Sequence, residues 1–473
     1  MLNKIKPEVL KIYNTLEKAG FEIYFVGGCV RDLLLNKEVK DWDFTTNATP
    51  EEIQKVFPDS FYDNSFGTVG VKFTTTDDNS FGTVGVKFEE MKESDADTLL
   101  KNYVEITTYR SESGYKDRRH PESVTWGKTI DEDLTRRDFT VNAIAAKIIG
   151  EKLELTDPFN GQEDLKNKLI KAVGNPQERF KEDGLRLMRA IRFTTQLGFT
   201  IEDKTKAAIT EDALLLQEIS GERIRDELLK ILGTENPYDG ITLLDEVGIL
   251  KYIFPELEEG KGVSQARPGR HHTTDVFTHN ILSLKFCPST DPIVRLAALL
   301  HDVGKPFVAG QDEEGHIIFY NHEVKGAILS KEISDRLRLS KKQKEKIYTL
   351  IRWHMFTVDT ALTDSAIRRF IRRVGVENVA DMMDLRIGDR LGGGTQVAES
   401  WRLIKFKERI TEQLNPPFSI NDLAIDGNDI MKELGLKPGP EVGKILKTLF
   451  DEVDEDLSKN TREYLLGRIK EVQ

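Results

Sequence analysis

Apolar spacing divides the chain into a mixed N-terminal part and a helical remainder. Val9, Leu10, Tyr13 and Leu16 recur at helical spacing ahead of Gly20, which predicts a helix over 7–19. The run 21–26 predicts a strand that enters a Gly27-Gly28 turn and a short helix. Thr49-Pro50-Glu51-Glu52 combines a capping box with proline at the first helical position, predicting a helix to about Phe57. Alternation in 68–73 and 103–110 predicts two more strands. The polar stretch 111–133, with Gly114 and Pro121, predicts a mobile loop, and 138–148 a short helix. Beyond about residue 162 the pattern is almost wholly helical, punctuated by Gly161, Gly198, Gly221 and Gly233.

One segment occurs twice. Asp63–Phe73 (DNSFGTVGVKF) recurs letter for letter as Asp78–Phe88, fifteen residues later. Chance does not repeat such a segment, so it was duplicated. One copy is expected to pair in the central sheet and the other to lie at its periphery.

Composition narrows the class. The 473 residues exceed one ordinary core, so roughly two to four domains are expected. Apolar content of 38% and charged content of 31% suit a soluble protein. No apolar run approaches the roughly 18 residues of a membrane span. No basic region followed by an apolar stretch opens the chain, so no secretory signal is expected. Only Cys29 and Cys287 occur, which is no disulfide framework and fits a reducing, cytoplasmic setting. The net charge of −12 argues against indiscriminate nucleic-acid binding, although local Lys/Arg patches decide that question.

The sharpest chemistry lies between Phe25 and Asp43. Asp41 and Asp43 alternate along a strand, so their carboxylates share a face about 7 Å apart along the backbone. Such a pair repels unless a cation sits between. A hard divalent ion with oxygen ligands, magnesium above all, resolves this. Gly27 and Gly28 let a triphosphate approach backbone N–H groups. A phosphate cradle beside a metal-binding Asp pair is equipment for nucleotidyl transfer. Glu105, on a strand expected to neighbour Asp41 and Asp43, is the candidate third catalytic carboxylate, with a plain surface glutamate as the alternative.

The series G-G-x-V-R-D-x-L-L and D-W-D resembles the first motif of the class II tRNA nucleotidyltransferase and bacterial poly(A) polymerase family. Arg136–Ala143 resembles its second, R-R-D-F-T-x-N-A. Asp157–Leu165 is similar to its D-P-F-x-G-x-x-D-L connector, read here as structural. Glu182–Phe193, read as one amphipathic helix, resembles the base-selecting E-D-x-L-R-x-x-R-A-x-R-F. Ser220–Leu228 resembles the last neck motif, also read as structural. The resemblance implies that Arg31, Arg137, Asp138, Asn142, Arg189 and Arg192 join Gly27 and Gly28 around the nucleotide. It further implies that Asp183 and Arg186 bond the Watson–Crick edge of the incoming base and so choose CTP and ATP without a nucleic-acid template. The chemistry suits this: Arg donates, Asp accepts from an exocyclic amine, and cytosine and adenine both carry one. Family members that add the final A use a flexible loop at 111–133, which here carries Asp117, Arg118 and Arg119 behind Arg110. Its presence favours full CCA addition or A addition over a CC-only enzyme.

Seven of the eight histidines (271, 272, 279, 301, 316, 322 and 354) fall within 271–354, under a fifth of the chain. His301-Asp302 ends the apolar helix 293–300, with His279 before it and Asp389 after it. The order H…H-D…D resembles the HD phosphohydrolase superfamily. That resemblance implies a metal centre of His279, His301, Asp302 and Asp389, which His322 and His354 extend to a second ion. The implied metal is Mn, Ni, Fe, Co or Mg, and Lys305 would take a substrate phosphate. His316 is read as a surface residue. Near the end, Leu434–Lys444 reads as a glycine-spaced turn, either a plain interhelical turn or, by its similarity to a family segment in the C-terminal RNA-binding part, a contact with the tRNA backbone.

The expected architecture is α+β. A nucleotidyltransferase head of the polymerase-β kind, a mixed sheet with flanking helices (1–148), precedes an all-α neck (149–235), HD domain (236–400) and tail (401–473). The expected function is CCA addition to the tRNA 3′ end from CTP and ATP, with magnesium in the head and phosphohydrolase activity in the HD domain. A poly(A) polymerase or A-adding enzyme is one alternative. An HD phosphohydrolase acting on RNA ends, its head non-catalytic, is the other. No membrane partner is expected, and the sequence does not speak to oligomeric state.

Overall fold

The computed structural model describes residues 2–63, 68–72, 103–115, 121–265, 274–414 and 419–472. They form two units, Met1–Ile253 and Phe254–Gln473.

The first unit is built on a seven-stranded sheet ordered β3-β4-β5-β2-β1-β8-β9. Its strands are β1 (Ile23–Val26), β2 (Trp42–Thr46), β3 (Phe61–Asp63), β4 (Thr68–Lys72), β5 (Tyr103–Thr108), β8 (Ala145–Ile149) and β9 (Lys152–Thr156). Only β2 and β5 run parallel; the other neighbours are antiparallel. Strand alternation sets the core. Trp42 and Phe44 are buried on one face of β2, where Phe44 and Trp42 meet Phe25 edge-on at 4.8 and 5.8 Å. Tyr13, on α1 (Pro7–Lys18), stacks on Phe25 at 5.2 Å. That leaves Asp43 on the opposite face of β2. Thr49 caps α3 (Pro50–Val56) with the reciprocal Glu52 bond of a capping box.

Three expectations are corrected. The described residues of 111–133 are not a loop: β6 (Arg110–Tyr115) and β7 (Pro121–Trp126) pair antiparallel, with α4 (Ile130–Thr135) after them. Residues 138–148 are not a helix either. A 3-10 turn at Thr140–Asn142 leads into β8, because Ala145 and Ala146 find backbone partners in both β1 and β9. That sheet pairing overrides the helical propensity of the alanines. Glu182–Phe193 is two helices rather than one. α6 (Pro176–Glu182) stops at Asp183, whose backbone is extended (φ −148°, ψ 105°), and α7 (Leu185–Leu197) starts after Gly184. As for the duplicated segment, its first copy supplies β4 inside the sheet, between β3 and β5; the second lies outside the described residues. α5 (Gly161–Lys166) precedes α6, and the unit continues through α8 (Asp203–Glu211), α9 (Gly221–Leu232) and α10 (Pro237–Glu246).

The second unit is helical. Its elements are α11 (Val276–Phe286), α12 (Pro292–Leu300), α13 (His322–Arg336), α14 (Lys341–Trp353), α15 (Asp364–Val374), α16 (Val379–Gly392), α17 (Trp401–Gln413), α18 (Gly427–Leu434), α19 (Pro440–Glu455) and α20 (Arg462–Ile469). α11 and α16 approach closely because α16 presents glycine: a Cβ on Gly388 would lie 2.5 Å from the Ser283 carbonyl oxygen. Leu423, Ile430, Leu449, Val453, Leu465 and Ile469 belong to a further core around α18–α20. Asp454 on α19 accepts from Arg368 and Arg372 of α15, tying those helices together. No described helix is long and apolar enough to cross a membrane.

Candidate active sites

In the first unit, β2 and β5 align Asp43 directly opposite Glu105. Asp41 immediately precedes β2, so three carboxylates meet at one edge of a cleft. Burial, then the charges of Glu105 and Asp41, push the Asp43 carboxyl up to about 7, against the pull of Arg137 and Arg31. A site that holds oxygen ligands at such a cost to their ionisation fits a hard divalent cation. Gly27 lies beside it with φ +71°, and a Cβ there would meet Arg137 Nη1 at 3.1 Å and Asp43 Oδ2 at 3.6 Å. Glycine is therefore required both for the backbone angle and for the space.

A chain of hydrogen bonds runs from the glycine turn to the neck. On α2 (Gly28–Leu34), Arg31 Nη1 donates to Asn142 Oδ1 (2.8 Å), and Asn142 Nδ2 donates to Asp138 Oδ1 (3.3 Å). Arg189 on α7 donates twice to Asp138 Oδ2, at 2.8 and 2.5 Å. Burial alone would raise the Asp138 carboxyl, yet Arg189, Arg186 and Asn142 together bring it down to about 2. Arg136 donates through Nε and Nη2 to Oδ1 of the fully buried Asp133, at 3.0 and 2.7 Å, and Arg137 Nη2 donates to its Oδ2 at 3.0 Å.

Asp183 sits in the bend between α6 and α7. Arg223 of α9 donates to both its oxygens, at 3.1 and 2.8 Å. Arg186 donates to Glu182 Oε2 (2.5 Å) and to the Arg136 carbonyl (3.3 Å). Arg192 pairs with the buried Glu227 at 2.6 Å, its guanidinium 4.0 Å from the centre of the Phe193 ring. Asp183, Arg186, Arg192 and Arg223 line one cleft of about 1300 Å³ with Gly27, Gly28, Arg31, Asp41, Asp43, Glu105, Arg137, Asp138, Asn142 and Arg189. All thirteen head and neck residues singled out in the sequence thus share a single space.

In the second unit, four imidazoles converge on Asp302. His301 and His354 follow the last residues of α12 and α14, and His322 opens α13. Each turns its Nδ1 onto the carbonyl three residues earlier (Ala298, Ile351 and Phe319) at 2.9, 2.7 and 2.8 Å. A carbonyl only accepts, so Nδ1 carries the proton and Nε2 presents its lone pair. His279 and His301 place Nε2 atoms 3.2 Å apart, and His322 and His354 3.4 Å apart. Asp302 Oδ2 lies 3.3 Å from both members of the first pair; Oδ1 lies 3.3 and 3.6 Å from the second. Asp389 Oδ1 lies 3.3 Å from His279. The ligand atoms thus form two metal-sized groups that share Asp302. Facing lone pairs at these distances repel unless a proton or a metal ion lies between them, and the N/O donor set fits a divalent metal. Burial draws the His301 imidazole down, but Asp302 and Asp389 carry it up to about 10. His354 is drawn down, chiefly by burial. Lys305 Nζ lies 2.5 Å from Asp302 Oδ2. His316 stands apart, partly exposed beside Asp312 and Glu314. His271 and His272 lie outside the described residues.

Residues 23–171 match the Poly A polymerase head domain, 198–261 the probable RNA and SrmB-binding site of polymerase A, and 282–391 the HD domain. A CCA-adding enzyme of Lactococcus lactis subsp. lactis is 31% identical over 481 residues, covering 100% of this chain and 99% of that one. The chain belongs to the CCA-adding enzyme family. A CCA-adding enzyme of Lactobacillus helveticus is 47% identical over 227 residues, a match spanning 47% of this chain and 49% of that protein. Among solved structures, the Bacillus stearothermophilus CCA-adding enzyme in complex with CTP is 26% identical, covering 99% of this chain and 98% of that one with a TM-score of 0.64. The Thermotoga maritima CCA-adding enzyme complexed with tRNA, at 20% identity and a TM-score of 0.57 over 99% and 97% of the two chains, shares the fold. Both the nucleotidyltransferase and HD families depend on metal ions.

Membership in the CCA-adding family makes this chain a nucleotidyltransferase. Sequence reasoning did not single out Asp133, Glu227 or Arg223 as functional in it. Arg223 stood inside the Ser220–Leu228 motif, read only as structural. Its partner, Asp183, lies 40 residues away in the sequence, beyond the reach of helical spacing.

Proposed function

We propose that the head and neck add CMP and AMP from CTP and ATP to the tRNA 3′ end, with Asp183 and Arg186 selecting the base. The carrying observation is that this pair opens into the same cleft as Asp41, Asp43 and Glu105. Magnesium held by Asp41 and Asp43, with Glu105 beside them, would supply charge stabilisation for attack of the tRNA 3′-hydroxyl and departure of pyrophosphate. The backbone N–H groups of Gly27 and Gly28 and the guanidinium of Arg137 receive the triphosphate. Asn142 and Asp138 orient the ribose. Arg223 holds Asp183 and Glu182 holds Arg186. A carboxylate and a guanidinium each keep further lone pairs or N–H groups beside such a partner, so a cytosine or adenine would donate its exocyclic amine to Asp183 and accept from Arg186. Uracil or guanine would leave one or both unmatched. The test supplies tRNA transcripts ending before CCA, after C and after CC with magnesium and CTP or ATP, singly and together. Ordered addition of C, C and A with arrest is expected. A-only addition or a growing A tail overturns the reading in favour of an A-adding enzyme or a poly(A) polymerase.

The HD centre supports a second activity, hydrolysis of phosphomonoesters or 2′,3′-cyclic phosphodiesters at RNA ends. The two ligand groups that share Asp302 favour it. His279, His301, Asp302 and Asp389 would hold one ion and Asp302, His322 and His354 a second, drawn from Mn, Ni, Fe, Co or Mg. Bound metal would lower the pKa of a coordinated water. Metal analysis of purified protein, with hydrolysis assayed in wild type and His301→Ala, tests this. Absent metal together with unchanged hydrolysis overturns it.

A further inference from the structure

Gln265 lies between the two matched segments that end at 261 and begin at 282, and no part of the nucleotidyl-transfer site uses it. It is 6% exposed. Lys305 Nζ donates to Gln265 Oε1 at 2.5 Å and also contacts Asp302 Oδ2 at 2.5 Å. The ammonium fixes the amide: turned over, Nε2 would set its own N–H groups against a cation. Nε2 therefore points away from Lys305. It is buried and has no hydrogen-bond partner among the described residues. Buried side-chain amides are rarely left so. Lys305 meanwhile spends two of its three N–H bonds on Asp302 and Gln265.

We propose that Gln265 Nε2 and Lys305 Nζ form a phosphoryl-oxygen subsite of the HD centre. It would take the non-bridging oxygens of a phosphate monoester or cyclic phosphodiester while the ester lies against the metals. The inference rests on the metal-dependent reading of that centre. Charge favours it, since divalent cations and Lys305 exceed the two aspartates and leave the buried centre positive. A neutral amide adds donors without an opposing charge. The simpler role, holding Lys305 in place, needs only Oε1, and Gln265→Glu would still supply an oxygen for it.

The test uses full-length protein loaded with manganese and titrated with inorganic phosphate by calorimetry. Binding that persists in His301→Ala is assigned to the head and subtracted. Gln265→Glu is expected to weaken phosphate binding about tenfold or more at unchanged metal content. Gln265→Met, which removes the amide without adding charge, is expected to weaken it less, and decides the matter if the Glu variant does not fold. Unchanged or tighter phosphate binding in a variant that keeps its metal overturns the subsite and leaves the hydrolase reading standing. Wild type that holds metal but no phosphate also overturns it. Wild type that retains no metal overturns the hydrolase reading and the subsite together.

Discussion

Arg223 and Asp183 form a two-pronged ion pair at 3.1 and 2.8 Å across the neck, joining α9 to the bend between α6 and α7. Two parallel N–H···O bonds fix the plane of the carboxylate as well as its position. Asp183 is therefore held in one orientation. Replacing Arg223 by Met should let Asp183 rotate, so that incorporation of C over U falls by about tenfold, one to two hydrogen bonds' worth of discrimination. Single-turnover assays with CTP and UTP on a transcript lacking CCA measure it. Undiminished selectivity would make the pair purely structural.

Asp43→Asn removes one charge from the proposed magnesium site but also relieves repulsion with Glu105, its direct neighbour across β2 and β5. The variant should fold at least as well as wild type while nucleotide addition drops by about a thousandfold or more. Thermal unfolding and primer extension, run side by side, separate the two effects.

Asp138 links acid sensitivity to the same cleft. Its folded-state value, about 2, lies below the ordinary carboxylate range. A depressed carboxylate contributes stability that is fully present above its unfolded value, near 4, and is lost as pH falls toward 2. Arg189→Met should therefore cost about 3 kcal/mol near neutrality, because it strands a buried charge. The difference between variant and wild type should shrink as pH falls from about 4 to about 2. Urea titrations at several acidic pH values would show it; a constant difference would sink the assignment.

Emptying the HD centre should leave nucleotide addition intact. His301→Ala takes an Nε2 ligand out of the group of His279, His301 and Asp302. Bound transition metal should fall well below the wild-type level, while CCA addition under added magnesium changes by less than about twofold. Metal content by mass spectrometry and tRNA extension on the same preparation decide it.

Asp454, 1% exposed, receives Arg368 and Arg372. Asp454→Ala leaves the buried Arg368 without its carboxylate and should destabilise the second unit by about 3–5 kcal/mol. Arg372→Ala alone, at an edge more open to water, should cost about 1 kcal/mol. Chemical denaturation followed by tryptophan fluorescence measures both; equal losses would contradict the stated geometry.

The candidate site residues were legible because they cluster in short windows. Gly27 with Gly28, Asp41 with Asp43, and His301 with Asp302 each depend on a turn or an alternation that neighbours in sequence dictate. Glu105 shows the limit: its place in the cleft follows from the parallel register that sets it beside Asp43, and no local pattern encodes register between strands 60 residues apart. The same limit produced the errors at 111–133 and 138–148, where polar and alanine-rich stretches became strands because sheet partners were waiting for their backbone groups.

By itself, then, the sequence determined which side chains are candidates for the chemistry and that a mixed sheet precedes a helical remainder, since both rest on spacing within a few residues. Tertiary structure alone decided which charges meet. Arg223 finds Asp183, Arg189 finds Asp138, and four imidazoles from separate helices surround Asp302. Those encounters bring together residues far apart in the chain, and only burial of the apolar faces between them makes the meeting specific.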